Sequence, residues 1–305
     1  MSIPVFGTTP IKGSCSFSQF ETVYDDRFKL LALIGGGEKC CIFMVYDQVT
    51  QNVRALKKLR TSWLNDLTSR SIFENELLLW RSLNPHPHIV TASPYTYRNI
   101  QSLIMEYVPP DKKGRRTLRD HILDTEGNVD LLQNLQWAIH ICLGMEHVNR
   151  EGIRAHRDIK LSNIFVDSSG TAKIADFGLA INSTSHVSRL NYKIPSEANS
   201  VRGTAGYIAP KLYDGETADV STDLYSFGIV LWQLITGKST SSEFHDQFTS
   251  DSTLEIDSTF VRKFPLVTSE LVRIVSHCID PPPSFEYLGF YEVRRDLENL
   301  YCNLS

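Results

Sequence analysis

The run His156-Arg157-Asp158-Ile159-Lys160-Leu161-Ser162-Asn163 concentrates side chains that can do chemistry, and Asp176-Phe177-Gly178 begins thirteen residues after Asn163. A carboxylate such as Asp158 can accept or orient the proton of a hydroxyl group. Asp176 and the amide oxygen of Asn163 are hard oxygen donors, the type that a divalent magnesium ion prefers. An isolated His-Arg-Asp would read as a polar loop between strands. Two carboxylates and an amide at this spacing argue against that reading.

Such a centre needs elements to hold it. Phe28 to Ile34 reads as a strand running into Gly35-Gly36-Gly37, Ile42 to Tyr46 as a second, and Val53 to Lys57 as a third beyond a polar turn. Phe73, Leu77 and Trp80 recur at helical spacing, so a helix is expected from about Ser69 to Leu83, stopped by Asn84-Pro85. Ile89-Val90 and Leu103-Ile104-Met105 read as two further strands. After Pro109-Pro110 the pattern turns helical. Leu131, Leu135, Ala138, Cys142 and Met145 mark a long helix ending at Gly152, and Asp223 to Thr236 a second one stopped by Gly237. Ser269 to Cys278 and Tyr291 to Leu300 complete the set. The fold class is therefore α+β: a small strand-rich front lobe with one key helix, a larger mainly helical back lobe, and a cleft between them. Residues 1–24 are expected to form a tail, and 25–305 one domain with lobes at about 25–108 and 109–305.

The central motifs resemble those of eukaryotic-type serine/threonine protein kinases, and the resemblance extends from about Phe28 to Leu300. It implies a bilobal fold and transfer of phosphate from ATP, with magnesium or alternatively manganese, to serine and threonine hydroxyls of proteins. Asp158 would be the catalytic carboxylate, assisted by Lys160 and Thr204, and Asn163 and Asp176 the metal ligands. Lys57 of Ala55-Leu56-Lys57 would contact the phosphates, with Glu76 as its partner in preference to Glu74. Ile34, Gly35, Gly36, Gly37, Ile42 and Ala55 would surround the nucleotide. Met105 would be the gatekeeper, and backbone groups of Glu106 and Val108 would bind adenine. Gly203 to Pro210 resembles the end of an activation segment, a platform for a peptide, and Asp223 the aspartate that anchors the catalytic loop from behind. Arg157 and the Ser/Thr-rich stretch before Pro210 imply tuning by phosphorylation, expected between Ser183 and Ser200, with the chain itself as one substrate.

Two departures stand out. Cys40 occupies the place of the third glycine in the loop over ATP. Lys211 follows Ala209-Pro210 where the family carries glutamate, and the arginine that would pair with it is missing near Tyr287. Keeping one member alone would strand a buried charge. Losing both avoids this, and a reversed bridge from Lys211 to Glu286 is the expectation. Asp111 to Thr117 looks like a basic insertion, read as a solvated loop or as a docking surface for acidic partners.

The bulk numbers narrow the class. A net charge of −4 gives no sign of a nucleic-acid binder. Six cysteines without a CxxC pair fit a reducing compartment. No basic head with an apolar run opens the chain, no stretch nears about 18 apolar residues, and residue 2 is Ser2, so neither a membrane span nor myristoylation is expected, and the location should be cytoplasmic. A kinase-fold scaffold would not need Lys57, Glu76, Asp158, Asn163 and Asp176 together. A small-molecule phosphotransferase would not need the Gly203–Pro210 platform.

Overall fold

The computed structural model describes residues 24–124, 129–182, 203–238, 265–282 and 285–304. Strands β1 (Phe28–Gly36), β2 (Cys40–Asp47), β3 (Asn52–Leu59), β4 (Ala92–Tyr97) and β5 (Ile100–Glu106) form one antiparallel sheet in the order β1-β2-β3-β5-β4. Residues directly opposite in such a ladder share a face. Ile42 faces Lys57, which faces Leu103; Met44 faces Ala55, which faces Met105. These side chains occupy the inner face. The intervening residues Cys41, Phe43, Val45, Leu56 and Ile104 bury themselves with Phe28 in a separate outer cluster. Asp47 tightens the turn from β2 to β3: its carboxylate accepts from the Val49 and Thr50 amides and from Arg27. The Arg27 hydrogen bonds hold its pKa well below the usual carboxylate range. The lead-in is tied to the sheet by the Tyr24 hydroxyl and Ser102 Oγ, 2.7 Å apart.

Helix α1 (Leu67–Ser82) is started by Asp66, which accepts the Ser69 amide at 2.7 Å. Its buried stripe of Phe73, Leu77 and Trp80 sets Glu76 on the same inward side. The expected strand at Ile89-Val90 is not formed. Both side chains are buried as a core plug, and Ile89 makes only an isolated parallel bridge to Ile174. The strand lies further on as β4, an edge strand. Its Pro94 and exposed polar residues mask the alternation expected of a strand.

The rest is helical. Helix α2 (Leu118–Asp124) was not anticipated, and α3 (Leu131–Arg150) is the long helix that was. Short strands β6 (Ile153–Ala155), β7 (Ile164–Val166), β8 (Ala172–Ile174) and β9 (Ile181–Asn182) frame the loops between. Helix α4 (Val220–Thr236) is almost wholly buried, which explains its continuous apolar run. Asp219 and Thr222 close a capping box at its start, and Gly237 ends it at a left-handed φ of 73°. Helices α5 (Pro265–Ile279) and α6 (Phe290–Leu304) pack against α4 and α3 respectively. Arg294 Nε donates to Glu146 at 2.5 Å, locking α6 to α3. Among the described residues no helix is long and apolar enough to cross a membrane.

A histidine series joins the segment after α1 to the face of α3. His86 stacks on His147 with centroids 4.6 Å apart, and His88 stacks on His140 at 4.2 Å. The Ala172 amide donates to His140 Nδ1, so this ring is held neutral. Burial lowers the pKa of both His86 and His140 to about 4, with the neighbouring rings adding to the shift. A histidine with a lowered pKa supports the fold above its unfolded pKa, near 6.5, and this support is lost as pH falls toward 4. Replacing His140 by glutamine keeps an acceptor for Ala172 but removes the titration. The variant should lose less melting temperature than the parent between pH 7 and pH 4.5. An equal loss in both would show that this ring does not govern acid sensitivity.

Candidate active site

The upper wall is built by β3 and α1. Lys57 Nζ donates to Glu76 Oε1 at 2.7 Å and to Asp176 Oδ1 at 2.9 Å. Lys57 and Glu76 are both buried, with side chains 11% and 4% exposed, while Asp176 is 47% exposed toward the cleft. Burial opposes charge on Lys57, but the carboxylates of Glu76 and Asp176 outweigh it and hold its pKa above the ordinary value. Lys57 in turn lowers Asp176 to about 2. Glu74, the competitor, lies on the exposed side and pairs with Arg70 at 3.7 Å.

Above them, the glycine loop turns between β1 and β2. Gly36 is the position that demands glycine: its φ is +133°, and a Cβ there would sit 2.5 Å from the Cys40 carbonyl oxygen. Gly35 would meet Ile42 only at ordinary contact, and Gly37 has open space. Gly36→Ala should therefore destabilise by about 2 kcal/mol through backbone strain and weaken nucleotide binding, whereas Gly37→Ala should change the melting point little. Thermal melts with a nucleotide titration of both variants check this; equal melting points would refute it. Cys40 lies half-buried in the same ladder facing inward, and burial pushes its thiol up to about 11, so it stays protonated near neutrality.

The lower wall is the loop from His156 to Asn163. Asp158 is the hub: Thr204 Oγ1 donates to its Oδ1 at 2.7 Å, and Lys160 Nζ to its Oδ2 at 2.8 Å. Lys160 also donates to Thr204 Oγ1 at 2.6 Å. Asn163 Nδ2 donates to the Asp158 carbonyl at 2.9 Å and to Oδ2 at 2.7 Å. Such a loop needs unusual backbone. Arg157 and Asp176 have φ of 68° and 63°, left-handed values that cost energy in non-glycine residues and cluster at functional sites. Asp223, fully buried on α4, accepts the His156 amide at 2.7 Å and the Arg157 amide at 2.9 Å. Burial raises its pKa to about 7, against those two hydrogen bonds.

Sequence reasoning missed the ring stack that ties the walls together. Phe177 packs edge-on against Trp80 of α1 at 4.8 Å and against His156 at 4.7 Å. The helical spacing of Trp80 gave only a core residue. At the crossing between lobes, Met105 packs against the core, and Val108 is buried with its amide unbonded among the described residues. The Glu106 side chain, for which only backbone contacts were expected, accepts Lys173 Nζ at 2.7 Å and the Thr91 amide at 3.2 Å.

The expected bridge from Lys211 to Glu286 is not formed. Lys211 Nζ instead donates to both oxygens of Asp219, at 3.0 and 3.2 Å, while Glu286 is exposed. Asp219 is eight residues away in sequence and already fixed by its capping role, so it offers a preorganised carboxylate. In the missing arginine's place, the Tyr287 hydroxyl donates to Asp296, which also takes Arg273 at 2.7 Å. A cavity of about 440 Å³ opens beside Lys211, lined also by Tyr225, His277 and Tyr287. The basic insertion closes on itself: Arg115 pairs with Asp111 and Asp124, and Lys113 with Asp124. It therefore fits the solvated-loop reading. The stretch Ser183 to Ser200 lies outside the described residues.

Two oxygens at the cleft fit a magnesium ion. Asn163 uses its amide nitrogen on Asp158, and Asp176 Oδ1 takes Lys57 and the Gly178 amide at 3.3 Å. Asn163 Oδ1 and Asp176 Oδ2 are thus left over, both hard oxygen donors that fit the ion.

The fold thus holds a carboxylate hub at Asp158 and a buried Lys57–Glu76 pair that reaches Asp176. The sequence matches the protein kinase domain family over residues 28–284. The chain belongs to that family. It is 32% identical over 213 residues to serine/threonine-protein kinase PrkC of Bacillus subtilis, covering 70% of this chain and 31% of that one. It is 28% identical over 293 residues to serine/threonine-protein kinase PknB of Mycobacterium leprae, covering 89% and 42%. The chain thus spans less than half the length of the curated relatives it matches.

Proposed function

We propose that the chain transfers the terminal phosphate of ATP to serine and threonine hydroxyls of proteins, itself included. The observation that carries this is the Asp158 carboxylate, held by Lys160, Thr204 and Asn163 at the mouth of the cleft. Asp158 would accept or orient the acceptor's hydroxyl proton. Lys160 would offset charge on the transferred group, and Lys57, kept charged by Glu76, would hold the remaining phosphates. Asn163 and Asp176 would hold the magnesium ion, or manganese in its place, which when bound neutralises charge between the phosphates. Ile34, Ile42 and Ala55 would flank the adenine, with Glu106 and Val108 supplying backbone partners. Six cysteines without a CxxC pair fit a reducing, cytoplasmic setting.

The test is magnesium and labelled ATP with the parent, Asp158→Asn and Asp176→Asn, using a generic basic protein as acceptor. Transfer by the parent and its loss in both variants is the expected result. ATP binding without transfer in the parent would overturn the reading, as would transfer only to small alcohols. Peptide mapping of the same reactions checks tuning by phosphorylation: phosphate should appear between Ser183 and Ser200.

A further inference from the structure

Lys211 replaces the acidic residue that the resemblance leads one to expect, and its contacts lead back to the catalytic loop. Its ammonium group grips both oxygens of Asp219 and approaches Glu216 at 3.9 Å. Asp219 is the cap of α4: its Oδ1 accepts the Ser221 amide at 3.0 Å, and the Asp219 amide donates to the Thr222 hydroxyl at 3.3 Å. One turn further along the same helix is Asp223, whose carboxylate holds the amides of His156 and Arg157. The next residue of that loop is Asp158.

We propose that Lys211 is a positioning residue that fixes the start of α4 through Asp219, and through Asp223 holds the backbone next to Asp158. A cation on Asp219 does two things. It orients the capping carboxylate with charge-assisted hydrogen bonds, which are stronger than neutral ones. It also offsets the negative charge of Asp219, which adds to burial in raising the pKa of the fully buried Asp223 that receives two amides. The brace at the bottom of the activation segment has therefore moved. It runs from the segment end to the helix cap by opposite charge within nine residues, Lys211 to Asp219, and no longer needs a residue from the region of Tyr287.

The role rests on the proposed phosphotransfer, so the test carries a readout that does not depend on activity. Hydrogen exchange is followed at the His156 and Arg157 amides in the full chain, for the parent, Lys211→Met and Lys211→Arg. Methionine should speed exchange at these amides about tenfold while leaving the α3 and α6 amides unchanged, and arginine should restore protection. In the transfer assay, methionine should lower kcat about five- to tenfold with KM for ATP within about twofold, and arginine should recover most of it. Unchanged exchange at His156 and Arg157 in Lys211→Met overturns the proposal. So does acceleration spread evenly through all helices, which would make Lys211 a general stabiliser. Inactivity of the parent would count against the proposed function instead, and the exchange result would still decide the role of Lys211.

Discussion

Asp158→Asn should reduce phosphate transfer by about 10²- to 10⁴-fold, the range typical of a lost general base, and leave ATP binding nearly intact. The reason lies in the hub geometry. Asparagine matches aspartate in shape, and with its oxygen in the Oδ2 place it still accepts from Lys160 and Asn163, now at 2.8 and 2.7 Å. Its NH2 group then faces Thr204 Oγ1, which can accept in place of donating. The loop keeps most of its order and loses its proton acceptor. The Lys57–Glu76–Asp176 group sits on the opposite wall and keeps its contacts. Single-turnover transfer together with nucleotide titration separates the two effects. Retention of more than about a tenth of the parental rate would remove Asp158 from the proton-accepting role.

Lys57→Met should have the second large effect, a loss of about 10²- to 10³-fold in transfer, because a preorganised charge at the phosphates disappears. Its effect on stability should depend on pH. Glu76 is buried, and burial alone raises its pKa; Lys57 opposes that shift. Without the lysine, Glu76 takes up a proton and avoids being a stranded buried charge. A carboxylate whose folded pKa is raised above its unfolded value supports the fold at lower pH, and this support is lost as pH climbs through the folded pKa. The variant should melt closest to the parent near about pH 4.5, the ordinary glutamate pKa, and fall increasingly below it as pH rises toward neutrality. A constant deficit across that range would show that Glu76 remains ionised without Lys57.

Much of this site was legible in residue types. Asp158, Asn163 and Asp176 are readable because hydroxyl activation and magnesium binding accept few side chains, and the spacing between them is fixed by the short β7–β8 hairpin. Lys57 and Glu76 come from the resemblance, since by pattern alone Lys57 reads as a solvated strand lysine; their burial follows from the inner face of β3 and the buried stripe of α1. Other features depend on three-dimensional neighbours that a linear pattern does not carry. Ile89-Val90 is apolar enough for a strand but spends that character plugging the core. Gly35 and Gly37 fit a glycine pattern, yet only Gly36 among the three has a backbone that excludes a side chain. The linear pattern offers Lys211 a partner far along the chain at Glu286, whereas a capping aspartate nearby already has its carboxylate in place. Helix α2 is too short for its apolar period to show.

The two faces of the five-stranded sheet bear on which insertions and deletions the gene for this chain can tolerate. Along β3, Leu56 belongs to the outer apolar cluster, while Ala55 and Lys57 point inward. A single-codon deletion inside this strand would exchange the faces, sending Lys57 into hydrocarbon and Leu56 into the cleft. Loss of catalysis and loss of folding would then arise in one event, so selection would have no partly working intermediate to retain. Two-codon changes preserve the alternation, and length changes in the exposed turn from Gln48 to Gln51 leave the ladder untouched. Length variation among descendants of this sequence should therefore collect in that turn and be almost absent between Asn52 and Leu59.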